Sequence, residues 1–74
     1  MVLCHISNNI RNLRFNHNEM TQQQLADQVG VTRQTIVAIE KGKYSPSLEL
    51  AFRIARVFGQ SLEDVFTYEE ESKP

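Results

Sequence analysis

The chain has 74 residues, of which 41% are hydrophobic and 23% charged, with a formal net charge of −1 and one cysteine. That suits one soluble globular domain whose core is small enough for oligomerisation to strengthen it. The lone cysteine excludes an intramolecular disulfide, no apolar run reaches membrane-spanning length, and residues 1–6 are too short for an export signal; a reducing cytoplasm is the expected setting.

Residues 1–6, MVLCHI, are apolar and β-branched and predict a short strand. Ser7 or Asn8 can cap a first helix that carries Ile10, Leu13 and His17 along its inner stripe. Residues 16–20 form a polar connection, and Met20 is placed to staple the following helix by packing on Leu25. Thr21 and Gln24 have the spacing of a capping box, and Leu25, Ala26 and Val29 repeat with helical period, which predicts a helix over 22–29. Gly30 supplies the left-handed exit from it. Val31 plugs the turn, and Thr32 caps a helix over 33–41 with Ile36 and Ile39 inward and Gly42 as its stop. Residues 43–46 read as a loop, because the residue before Pro46 is pushed out of the helical region.

Ser47 caps a helix over 48–58 that is apolar at Leu48, Leu50, Ala51, Phe52, Ile54, Ala55, Val57 and Phe58. Apolar residues on more than one face mark it as the central core element. Gly59 ends it, Ser61 caps a fifth helix over 62–65, and Phe66, Thr67 and Tyr68 turn extended before an acidic tail over 69–74. The sum is an all-α domain spanning 1–74, five short helices with a small antiparallel β ribbon formed by the two termini, residues 2–6 pairing with 66–68. An isolated two-stranded ribbon is barely stable in water, so this one is expected to abut its copy in a second subunit.

Residues 21–42, TQQQLADQVGVTRQTIVAIEKG, organise the rest. Two helices joined by so short a turn must cross steeply, and Ala26 is small where the second approaches the first. This is the helix-turn-helix, motif residues about 22–41, whose second helix lies in the DNA major groove with its first residues toward base edges. At Gln22, Leu25, Ala26, Val29, Gly30, Val31, Ile36 and Ile39 the chain resembles the lambda-repressor/Cro-like (xenobiotic response element) family of bacterial and phage regulators, over residues 10–66. The segment FNHNEM after Arg14 is one residue longer than the commonest spacing in that family.

The resemblance implies a transcriptional regulator, more often a repressor, that binds an inverted repeat in double-stranded DNA as a homodimer. It places Thr32, Arg33, Gln34 and Val37 at positions that contact bases or the adjoining backbone. Arginine matches the two acceptors of guanine and glutamine bonds adenine bidentately; the alternative for Arg33 is a phosphate contact or a solvated helix end. Gln22 matches the family's phosphate-clamping glutamine, and Lys41, Lys43 and Tyr44 form a second phosphate-contacting group on the other flank. Arg14 and Glu40 match the family's structural ion pair. The net charge does not oppose this: between positions 11 and 56 stand seven cations (Arg11, Arg14, Arg33, Lys41, Lys43, Arg53, Arg56) against four anions (Glu19, Asp27, Glu40, Glu49). A local basic face, not the total, sets the field that a phosphate backbone meets.

Other chemistry is not legible. His5, His17 and Cys4 lack metal-ligand spacing, and Cys4 reads as a small buried hydrophobe. There is no glycine-rich phosphate loop, nucleophile elbow or convergent acid pair, so neither an enzyme nor a cofactor or small-molecule ligand is implied. The competing reading is a protein-interaction module, antitoxin-like or adaptor, which apolar ends and outward-facing Val37 and Ala38 would suit. The polar and basic lip of Gln22, Arg33, Gln34 and Lys43 argues instead for nucleic acid.

Overall fold

A hydroxyl cap stands before each of the last four helices and divides the chain into its elements. The computed structural model describes residues 5–70. In order they form β1 (Ile6–Asn8), α1 (Ile10–Phe15), α2 (Gln22–Val29), α3 (Arg33–Glu40), α4 (Leu48–Val57), α5 (Leu62–Val65) and β2 (Phe66–Tyr68). Thr21, Thr32, Ser47 and Ser61 each accept a hydrogen bond from the backbone N–H three residues on, which satisfies one of the unpaired donors of each first turn. At Thr21 and Ser61 the box is closed in return by the Gln24 and Asp64 side chains. No helix among the described residues is long and apolar enough to cross a membrane.

The inward faces meet in one cluster. Ile10 of α1, Leu25 and Val29 of α2, Ile36 and Ile39 of α3, Ile54 of α4 and Val65 of α5 are fully buried there. Met20 and Leu25 belong to the same cluster, at the two positions of a hydrophobic staple around the Thr21 cap. Leu13, Val31, Val57 and Phe66 pack partly against it. The bundle is thus all-helical apart from an antiparallel ribbon that joins its two ends, with Ile6 opposite Tyr68, Ser7 opposite Thr67 and Asn8 opposite Phe66.

Four expectations change. The ribbon uses residues 6–8 on its first strand; of the predicted 2–6 only Ile6 takes part, and Val2 to Cys4 lie outside the described residues, as do residues 71–74 of the acidic tail. Ser7 and Asn8, read as caps, are strand residues because each finds a partner far along the chain, Ser7 Oγ donating to Glu69 Oε2 at 2.6 Å and Asn8 Nδ2 to the Ile39 carbonyl at 2.9 Å. The cap position of α1 is Asn9, whose side chain makes no capping bond; Asn8 Oδ1 accepts from Ile10 N instead. His17 lies past the end of α1 on an exposed turn, its ring edge-on to Phe58 with centroids 5.7 Å apart.

The last change concerns α4. Leu50, Ala51, Ile54 and Ala55 are buried, but Leu48 and Phe52 are 67% and 48% exposed. A helix with only one neighbouring layer buries one face, whatever its composition. Ile54→Ala should therefore cost about 2–5 kcal/mol of unfolding free energy in urea titration, as truncation of a buried core residue does. Leu48→Ser, on the exposed face, should change stability by no more than about 0.5 kcal/mol.

Candidate nucleic-acid interface

The candidate interface is built around the turn between α2 and α3. Gly30 takes φ +79°, where a side chain would be strained, and lets its own N–H and that of Val31 both return to the Ala26 carbonyl at 2.8 and 3.0 Å. Thr32 reopens the chain as an extended residue, so α3 starts at once. Its first two residues, Arg33 and Gln34, are exposed, while Ile36 and Ile39 on the opposite side anchor the helix in the core. Thr32 Oγ1 accepts from Thr35 N at 3.2 Å and also lies 3.1 Å from the Thr35 hydroxyl. Of the residues expected at bases, Thr32 thus has its oxygen committed to the cap.

Arg33, Val37 and Lys41 recur at every fourth position and line one side of an open groove of about 860 Å³. The far side is the start of α2 at Gln22 and the outer face of α1. Three of the expected DNA-contacting residues on α3 and its end therefore share a surface with the expected phosphate clamp on α2. Gln34 lies beside the groove rather than in it, and Lys43 and Tyr44 are exposed on the loop past Gly42. Val37 and Ala38, expected to face outward, are half-buried, and Val37 lines the groove wall. This removes one of the features that favoured a protein-binding module.

Arg11 and Asn12 of α1 line the same groove and were not singled out from the sequence. The signal was available: Arg11 stands three residues before Arg14, and residues so spaced share a helix face. Without the α1–α3 angle, that face had no assigned direction.

A polar network of small extent lines part of the same groove. Arg14 Nε donates to Glu40 Oε2 at 2.7 Å and Arg14 Nη2 to Glu40 Oε1 at 3.1 Å, a two-pronged fork. Arg14 Nη1 donates to the Met20 carbonyl at 2.8 Å, and Gln22 Nε2 donates to Glu40 Oε1 at 3.2 Å. The Arg14 and Glu40 side chains are only 13% and 9% exposed. Gln22 is therefore tied to the end of α3 through one of its amide hydrogens and keeps the other for a ligand. Ser47, past the loop of Lys43 and Tyr44, has its oxygen engaged by Leu50 N at 3.2 Å, as its role as a cap requires.

The FNHNEM segment folds back just before this network. Asn18 and Glu19 both adopt positive φ, 58° and 52°, and fold the connection back so that Met20 N donates to the Arg14 carbonyl at 2.9 Å. The loop thereby delivers the Met20 carbonyl to the Arg14 guanidinium and Thr21 to its capping position.

Comparison with known proteins agrees with this architecture. The Helix-turn-helix family pattern matches residues 10–65, and the chain belongs to that family, of the xenobiotic-response-element, lambda-repressor-like kind. It is a family of DNA-binding transcriptional regulators, not of enzymes. An uncharacterized HTH-type transcriptional regulator of Methanocaldococcus jannaschii is 54% identical over 66 residues, which cover 89% of this chain and 98% of that protein. The cryptic phage CTXphi transcriptional repressor RstR of Vibrio cholerae is 33% identical over 64 residues, covering 86% of this chain and 57% of its own length. A crystal structure from Bacteroides fragilis shares the fold with a TM-score of 0.71 at 22% identity, over 84% of this chain and 98% of that one.

The network makes a direct prediction. Glu40→Ala leaves the Arg14 guanidinium under cover with only the Met20 carbonyl, and should cost about 3 kcal/mol, the lower end of the range for stranding a buried charge. Replacing both partners by methionine should recover most of that loss in the same urea titration. If the double variant is no more stable than Glu40→Ala, the loss does not come from a stranded charge.

Proposed function

We propose that the chain represses transcription by binding an inverted-repeat operator as a homodimer, each subunit placing α3 in a major groove. The observation that carries the reading is the exposed leading end of α3, Arg33 and Gln34, standing beside a groove shared by Gln22, Val37 and Lys41. Arg33, Gln34 and Val37 supply a guanine-type donor pair, an amide and an apolar contact at the base edges, with Thr32 at the adjoining backbone. Gln22 and the first amides of α2 hold a phosphate on one flank, while Lys41, Lys43 and Tyr44 hold the other. Arg11 joins the first group from α1. The Arg14–Glu40 pair is structural and keeps the two flanks at a fixed separation.

The dimer is proposed at the ribbon. Its two strands have three residues each, too few to be stable as an isolated ribbon, and Tyr68 is exposed. A second copy joined edge to edge about a two-fold axis would give the four strands that a stable sheet favours. Two heads so related read half-sites about 34 Å apart on one side of the duplex. The likeness to a phage repressor supports the direction of regulation, since a protein seated on promoter DNA excludes polymerase.

Selection of bound sites from random DNA should return a symmetric sequence. On that site Arg33→Ala should cost about 1–3 kcal/mol and relax one base position. Lys43→Ala should weaken selected and random DNA alike and flatten the dependence of log K on log salt by about one unit per subunit. Binding to mixed DNA that is insensitive to salt would return the chain to the class of protein-interaction modules.

A further inference from the structure

The C-terminal end of α3 is held from two directions. Inside the head, Glu40 is gripped by Arg14 and Gln22. From outside the head, Asn8 of β1 reaches the carbonyl of Ile39, in the last turn of α3, and donates to it through Nδ2 at 2.9 Å. Carbonyls of a last helical turn lack partners within their own helix; that of Ile39 accepts from Gly42 N at 3.0 Å beyond the helix end and keeps a second lone pair for such a side chain. The same Asn8 accepts from Ile10 N through Oδ1 at 3.1 Å, which fixes the amide's orientation, since only this assignment satisfies both neighbours. Its backbone is meanwhile paired with Phe66 in the ribbon. Asn8 is half-buried and both of its polar side-chain atoms are engaged. One residue thus belongs to the ribbon, starts α1 and grips the recognition helix.

We infer that Asn8 is a positioning residue that sets the angle of α3 against the ribbon and so fixes the operator spacing that the dimer accepts. The inference rests on the proposed dimer at the ribbon. With the ribbon on the two-fold axis, any rotation of the head about β1 displaces both recognition helices in opposite senses. Each base pair added between half-sites moves them about 3.4 Å apart and turns them about the duplex axis, so a modest rocking of the heads lets the wrong spacing fit. Asn8 resists that rocking because its two bonds run to α1 and α3 at once. It touches no base and adds nothing to the affinity of one head for one half-site.

The test uses Asn8→Asp and Asn8→Ser. Both retain an acceptor for Ile10 N, and neither can donate to the Ile39 carbonyl, the aspartate for want of a hydrogen and the serine for want of reach. Affinities are measured on the selected inverted repeat, on versions with one base pair added or removed at its centre, and on a single half-site. The inference expects unchanged half-site affinity, with the preference for the natural spacing falling by about two- to tenfold, the worth of one hydrogen bond. Preference unchanged in a folded variant overturns it, and so does a loss confined to half-site affinity.

A measurement on the unmodified dimer covers the case in which both variants unfold. By NMR, the Asn8 side-chain amide protons should exchange with water more slowly than those of exposed Gln28; equal rates overturn the inference. Failure of the underlying reading looks different. An unmodified chain that sediments as a monomer, or binds all spacings equally, removes the dimer at the ribbon and the inference with it. Loss of spacing preference in the variants alone leaves both standing.

Discussion

The fork between Arg14 and Glu40 is the contact on which the presentation of α3 depends. The proposed role leaves the leading end of α3 in solvent, so the helix can be held only by its inner face and by its trailing end. The inner face of α3 is narrow, with Ile36 and Ile39 alone fully buried. Directional bonds at the trailing end make up what apolar packing cannot supply. The guanidinium uses all three nitrogens, two on Glu40 and one on the Met20 carbonyl, and the carboxylate takes a further bond from Gln22. The end of α1, the loop before α2, the first residue of α2 and the last of α3 are thereby fixed to one another. A pair of well-packed apolar side chains could match such a fork in stability but not in its geometry.

The same economy explains the groove. Gln22 serves both as a strut to Glu40 and as the first residue of a helix whose amide groups point outward. Positive charge is gathered on the rim by Arg11, Arg33 and Lys41, while the aliphatic Val37 sits between them. Desolvating a duplex backbone against such a surface needs no deep pocket. It needs donors spaced across a concave strip, and these come from elements that the fork holds at constant separation.

How much of this could be read beforehand depended on the range of the interactions. The caps at Thr21, Thr32, Ser47 and Ser61 are local, each a hydroxyl meeting an amide three residues on, and the helices they open begin as the spacing predicts. Gly30 was equally legible, because a turn that tight requires a left-handed residue. Ser7 and Asn8 were only partly legible for the opposite reason: Asn8 does take the first amide of α1, but the strand and the bonds to partners 62 and 31 positions away are announced by nothing beside them in sequence. Leu48 and Phe52 show the limit of composition, since apolar residues tell that a face can be buried but not that a neighbour exists. The Arg14–Glu40 assignment came from family resemblance and not from spacing. The left-handed pair Asn18 and Glu19 could not be foreseen, although the extra residue there called for some such adjustment.

The ribbon joins residues from opposite ends of the described chain, and loop closure over such a span is slow and entropically costly compared with the pairing of neighbouring helices. Helices adjacent in sequence, such as α2 and α3, can therefore pack on one another before β1 meets β2. The ribbon then closes on helices that are already packed, and the two ends of the described chain are the last parts to be tied down.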